Sequence, residues 1–155
     1  MAVTIRNATL ADLDTLTQLE RIVFDPNKYP ISSRRNFEHL LKYGKAVVLV
    51  AEDQNIIRGM AVLLFRKTSK FGRLYSIGVD PAYQGGEFGK ALFSSAEYLV
   101  KEQGLIGMVL EIRADNVKHR DRYVSSGYKI IEKLQDYYPD GSSGLKLKKV
   151  FKNGC

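Results

Sequence analysis

The sequence predicts a single α/β domain in which a mixed central β-sheet is flanked by helices. Three observations predict it. Segments of strand character and segments of helical periodicity interleave in the order β-α-α-β-β-β-α-β-α-β-β, a mixture that builds a sheet covered by helices. The 155 residues, 45% hydrophobic and 26% charged, suffice for one core, and no repeat, low-complexity tract or linker divides them, so the domain is expected to span 1–155. One strand ends in a glycine-rich turn that opens straight into a helix, which is the local chemistry of an anion site.

Each element follows from its residues. Val3 to Asn7 alternates and reads as a first strand. Thr9 and Asp12 have capping-box spacing, and Leu13, Leu16, Leu19 and Val23 give the apolar stripe of a helix. Pro26 and Pro30 bracket a loop. Ser32 or Ser33 caps a second helix with Phe37, Leu40 and Leu41 inside, stopped at Gly44. Ala46 to Ala51 is a strand rich in β-branched residues, turned by Asp53-Gln54-Asn55 into a long strand from Ile56 to Arg66. Gly72 to Val79 is the next strand, ended by Asp80-Pro81. Glu87 to Gln103 is a helix, with Ala91, Leu92, Ser95 and Leu99 at helical spacing. Gly107 to Ile112 is an apolar strand, and Asn116 to Ser126 a short helix stopped by Gly127. Tyr128 to Leu134 and Gly144 to Phe151 are the last strands.

Composition excludes several classes. Cys155 is the only cysteine, so no intramolecular disulfide forms, and His39 and His119 stand far apart with no cysteine neighbours, so no metal site is expected. No apolar run approaches the roughly 20 residues that span a bilayer. Met1 to Arg6 lacks the basic and apolar regions of a signal peptide, so a cytoplasmic protein without a membrane partner is expected. The net charge of +7 favours polyanions, either a nucleic acid or a multiply phosphorylated cofactor. The cations are densest at Arg66-Lys67-Thr68-Ser69-Lys70 and Lys146-Leu147-Lys148-Lys149, patches that equally suit solvated turns and strand edges.

The stretch from Ile77 to Leu92 is the most informative. Its strand ends at Val79, the turn carries Gln84, Gly85 and Gly86, and Glu87, Phe88, Gly89 and Lys90 open the helix. Free N–H groups and the dipole of a helix start attract anions, and glycine lets backbone approach phosphate oxygens. Lys90 adds positive charge. The spacing is neither a Walker loop nor a dinucleotide fingerprint.

It resembles the coenzyme A signature of the GNAT N-acetyltransferases, Gln/Arg-x-x-Gly-x-Gly/Ala, at Gln84 to Gly89, with Glu87 where the family usually has glycine. A second stretch carries the same resemblance. Leu110-Glu111-Ile112-Arg113-Ala114-Asp115-Asn116 ends a strand, Tyr123 lies in the following helix, and Gly127-Tyr128 follows. The similarity covers roughly residues 45–150 and is strongest to the ribosomal-protein N-terminal alanine acetyltransferases. Tyr137-Tyr138-Pro139-Asp140-Gly141 also resembles a turn of that branch.

The resemblance implies a GNAT fold with acetyl-CoA as cofactor and an amine as acceptor. Ile77, Val79, Gln84, Gly85, Gly86, Glu87, Phe88, Gly89, Lys90 and Asn116 would hold the cofactor, with Asn116 equally suited to capping its helix. Glu111 would be the base and Tyr123 the acid; a Glu111–Arg113 surface pair and a core tyrosine are the plainer alternatives. An α-amine, with a pKa of about 7.8, costs about 1 kcal/mol to deprotonate at pH 7, against about 4.6 for lysine, so a modest base suffices for it.

Phe24, Tyr29, Tyr137 and Tyr138 would frame the acceptor, with Asp25, Asp136 and Asp140 available to attract a cationic amine. A protein or peptide α-amine is the leading acceptor. A small amine (a polyamine, amino acid derivative or aminoglycoside) and a silent acetyl-CoA-binding regulator remain open. No nucleic-acid recognition motif occurs, and a monomer or a homodimer fits equally.

Overall fold

The computed structural model describes residues 2–151; Cys155 lies outside them. The elements, in chain order, are β1 (Thr4–Asn7), α1 (Leu13–Val23), α2 (Arg34–Lys42), β2 (Ala46–Asp53), β3 (Ile56–Leu64), β4 (Phe71–Val79), α3 (Glu87–Glu102), β5 (Gly107–Arg113), α4 (Val117–Ser125), β6 (Lys129–Leu134) and β7 (Gly144–Val150). The expected order holds, with ends displaced by a residue or two. The Thr9 signal opens a 3-10 turn over Leu10–Asp12 that runs into α1, with Asp12 accepting the Thr9 N–H at 2.8 Å. Ser33 is the cap of α2, its hydroxyl accepting from the Asn36 N–H at 3.1 Å. Gln54 and Asn55 both take positive φ (52° and 63°), which makes the β2–β3 turn a tight two-residue hairpin.

The seven strands lie in the order β1-β2-β3-β4-β5-β7-β6. Only β4 and β5 run parallel; every other neighbouring pair is antiparallel, so the sheet is mixed as expected. Two apolar clusters cover it. On one face, Phe88, Leu92, Ala96 and Val100 of α3 pack with Leu49, Ala61, Leu63, Leu74, Met108, Leu110 and Leu147. That buried stripe repeats every four residues and takes in Leu92 of the expected set, whereas Ala91, Ser95 and Leu99 are half-buried at its edge. On the other face, Leu13, Leu16 and Leu19 of α1 and Phe37 of α2 cover Val48, Val50, Met60 and Val62.

One irregularity shapes the molecule. Val62 pairs with Ser76 and Leu63 with Leu74, so Tyr75 is an extra residue that bulges β4. Pairing of β4 with β5 stops at Leu74–Leu110, although β4 continues to Val79 and β5 to Arg113. Beyond that point the two strands splay. The bulge also inverts the alternation of side chains. Leu74 belongs to the α3 face, and so do Ile77 and Val79, an odd number of residues along. Gly78 instead faces α1, where a Cβ would lie 2.6 Å from Val23 Cγ1.

Candidate active site

A pocket opens over the splay. It is lined from β4 by Arg73 to Ile77, from β5 by Leu110 to Arg113, and from α4 by His119 and Tyr123. Glu20, Phe24, Tyr29 and Pro30 close it on one side, and Tyr137 and Tyr138 on the other. Glu111, Tyr123 and all four aromatic residues expected at the acceptor side therefore meet in one cavity.

Glu111 is neither on the surface nor paired with Arg113. Its carboxylate, 10% exposed, is gripped by Arg73 of the neighbouring strand, whose Nε donates to Oε1 at 2.9 Å and whose Nη2 donates to the same oxygen. The Tyr137 hydroxyl donates to Oε1 at 3.4 Å. These contacts fall on Oε1 and leave Oε2 for other company. Arg113 turns the other way and is itself buried. It donates to Asp140 at 2.7 Å, to the Ser142 hydroxyl at 2.8 Å and to the Lys28 carbonyl at 2.8 Å, with its guanidinium 5.5 Å from the Tyr29 ring and 5.1 Å from the Tyr138 ring. One residue thus stitches the loop after α1 to the loop before β7. Asp140, held down at about 2 by its hydrogen bond from Arg113, is spent in this stitch and is not free to receive an amine.

Tyr123 is 9% exposed, its ring 5.3 Å from Phe93 and 5.9 Å from Tyr128, so it packs in the core and lines the pocket at once. Burial pushes its pKa up, which keeps the hydroxyl protonated at neutral pH. Tyr128, by contrast, donates its hydroxyl to Glu97 at 2.6 Å. Asn116 does cap α4, accepting the His119 N–H at 3.1 Å while its amide meets His119 Nδ1 at 2.9 Å. Burial, then the nearby Arg122 and Lys118 charges, push the His119 pKa down, so the ring is neutral at pH 7. Burial likewise pushes the Glu20 carboxyl up; it accepts the Ser32 N–H at 2.8 Å and pins the loop entry.

The loop between β4 and α3 fits a phosphate-bearing group. Gly86 is the N-cap of α3 and offers no side-chain cap, so the N–H groups of the first turn stay free. Gly85 takes φ +82°, and a Cβ there would meet nothing within 4 Å. At Gly86 and Gly89 the nearest atoms to a Cβ are 3.9 and 3.8 Å away, so protein packing does not demand glycine at either. Lys90 and Glu87 are exposed, which lets the Glu87 carboxylate turn to solvent. Phe88 is buried in the core against Tyr83 and offers the site only its backbone. Gln84 donates Nε2 to the Val79 carbonyl at 2.9 Å, tying the loop to the strand end. Ile77 and Val79 lie on the stretch of β4 that no longer pairs with β5.

The sequence reading missed Arg73, Glu20, His119 and Arg58. Arg58 lies over the Tyr83 ring at 4.3 Å, and its buried Nε has no hydrogen-bond partner among the described residues. That puts an arginine with one unpartnered buried N–H beside the phosphate loop. A hydrophilic residue in an otherwise apolar strand was the available signal for Arg58 and Arg73.

Comparison with known proteins shows the family. Residues 13–128 match the acetyltransferase (GNAT) family. The ribosomal protein bS18-alanine N-acetyltransferase of Haemophilus influenzae is 35% identical over 46% of this chain and 48% of its own. An N-alpha-acetyltransferase of Sulfurisphaera tokodaii is 29% identical over 92% of this chain and 90% of its own. The crystal structure of the Escherichia coli ribosomal-protein-S18-alanine N-acetyltransferase superposes with a TM-score of 0.86 at 20% identity, over 99% of this chain and 97% of that one. Neighbours of the same fold have been solved with acetyl-CoA or CoA bound. With a glycine loop open to phosphate, a parted strand pair and a matching family model, the chain belongs to the GNAT family of acetyl-CoA-dependent N-acetyltransferases.

Proposed function

We propose that the acceptor is a protein or peptide N-terminal α-amine, with Glu111 as base and Tyr123 as acid. The carrying observation is that both residues line one pocket, framed by two loops that Arg113 locks together. The rings of Tyr29 and Tyr138 meet edge to face at 5.6 Å and together wall the pocket in which a chain end would lie. The kind of protein named by the Haemophilus and Sulfurisphaera relatives supports the same acceptor.

Acetyl-CoA, when bound, supplies a thioester whose carbonyl is open to attack by an amine. The first turn of α3, with Gly85, Gly86 and Gly89, would hold its phosphates, and the free edge of β4 at Ile77 and Val79 its pantetheine arm. Arg73 fixes the Glu111 carboxylate through Oε1 and leaves Oε2 to take a proton from the incoming ammonium, directly or through a water. An α-ammonium gives up that proton far more readily than a lysine does. The Tyr123 hydroxyl, kept protonated by burial, supplies the proton the leaving thiolate needs. The ammonium nitrogen sheds two protons on becoming an amide: Glu111 takes the first and passes it to solvent, and the second, lost after attack, replaces the one that Tyr123 gives to sulfur.

The test is thiol release from acetyl-CoA with N-terminal peptides, internal lysine peptides, polyamines and aminoglycosides as acceptors. Turnover confined to free α-amines is expected. Faster turnover of a polyamine or aminoglycoside would move the acceptor to the small amines, and acetyl-CoA binding without turnover of any of them would leave a silent regulator.

A further inference from the structure

Cations from the two basic patches of the sequence, about 80 residues apart in the chain, come together on one uncovered surface, while Lys149 turns to the opposite face beside Glu97 and Tyr128. Arg73 pairs with Val109, Val109 with Lys148, and Lys148 with Lys129. Residues paired across strands project to the same side, so three cations stand in one row over four strands. The next row holds Glu111, Lys146 and Glu132. This is the sheet face that α1 and α2 cover at β2 and β3, but no residue of β5, β6 or β7 belongs to their apolar cluster. At its end lies the β3–β4 turn with Arg66, Lys67 and Lys70, held beside β5 by the Ile106 N–H on the Lys70 carbonyl at 2.8 Å.

The cofactor does not account for this charge. The phosphate loop follows Val79, whereas the basic turn precedes Phe71, and eight strand rises separate them by about 26 Å. Among the described residues, none of Arg66, Lys67, Lys70, Lys129, Lys146 and Lys148 is in an ion pair. The surface begins at the pocket itself, because Arg73 and Tyr75 line both.

We propose that this face docks the part of the acceptor polypeptide that follows its amine, and that it selects an acidic segment there. The proposal rests on the α-amine reading. From Tyr75 to Lys70 an extended chain needs about five residues at ~3.3 Å each, which places the selected acids near positions 3–7 of the acceptor. A nucleic acid fits less well. Bases need free aromatic faces, and both aromatic rings here are taken: Lys148 Nζ lies 4.4 Å from the Phe71 ring and the Arg73 guanidinium 5.4 Å from the Tyr75 ring.

The experiment compares kcat/KM for peptides that share their first two residues and carry acidic, neutral or basic residues at positions 3–7. At about 0.05 M salt the acidic series is expected to exceed the neutral one by about tenfold and the basic series to fall below it, the gap closing to about twofold near 0.5 M. The double variant Lys129→Glu, Lys148→Glu should bring the acidic-to-neutral ratio to one or below. The salt response of the unaltered protein tests the same point whether or not that variant folds. Equal turnover of all three series overturns the proposal and leaves the α-amine reading standing. Absence of peptide turnover beside brisk turnover of a small amine overturns both. A flat peptide series together with single-stranded RNA binding that the double variant abolishes reassigns the face to nucleic acid and overturns it as well.

Discussion

β4 and β5 run side by side for four residues and then part, and their two ends obey different rules. At the joined end, Phe71 to Leu74 against Gly107 to Leu110, the packing leaves no slack. A Cβ on Gly107 would lie 2.1 Å from the Lys149 carbonyl oxygen, and one on Gly72 would lie 2.6 Å from Val100 Cγ2. At the parted end, the glycines that follow β4 touch nothing closer than 3.8 Å. Glycine is thus required by the protein's own atoms within the strands, at Gly72 and Gly107 and again at Gly78, and left open to an outside molecule in the loop and helix start that follow β4. Stability and chemistry are separated along a single pair of strands.

Substitutions at the two ends should therefore fail in different ways. Gly107→Val should have the largest effect, lowering unfolding free energy by about 4 kcal/mol in denaturant titration, because a backbone oxygen cannot move aside. Gly89→Asp should leave the melting temperature near its original value and weaken acetyl-CoA binding at least about 100-fold, or about 3 kcal/mol, in calorimetry. Retained affinity would mean that the phosphates lie elsewhere. Glu111→Gln should lower kcat/KM by about 100-fold, mostly at the acid side of the pH–rate profile, with cofactor affinity unchanged. An unaltered pH profile would remove its role as base.

The smallest effects come from two tyrosines a few residues apart. Tyr123→Phe should slow turnover about tenfold, as the removal of one proton donor does, and leave stability alone. Tyr128→Phe should lose about 1.5 kcal/mol of stability through its hydrogen bond to Glu97 and leave turnover alone. Exchange of those two outcomes would place the acid at the wrong ring.

Most of the scaffold was legible because it rests on local rules. The Ser33 cap, the strand alternation and the Gly127 stop act within a few residues, and each lies where the sequence puts it. The loop chemistry was legible for the same reason: Gln84 to Gly89 sits at a helix start. The partners of Glu111 were not. Arg73 is 38 residues away, and nothing local says that Glu111 will meet it rather than Arg113 two residues on. Asp140 was readable as an acid but not as the partner of a buried arginine, since that depends on two loops meeting. The stripe of α3 was legible at Leu92 but not at its neighbours, because Ala91, Ser95 and Leu99 also satisfy helical spacing and only contact with the sheet chooses between adjacent stripes.

Tyr75, the extra residue in β4, sets a reading frame for side chains. If it were deleted, the strand would regain a regular ladder, but every residue after it would change sides. Ile77 and Val79 would then press into Val23 and Phe24, where even the small Gly78 has no room for a methyl group. The segment is consequently intolerant of changes in length. Natural variation along this segment should be almost free of insertions and deletions.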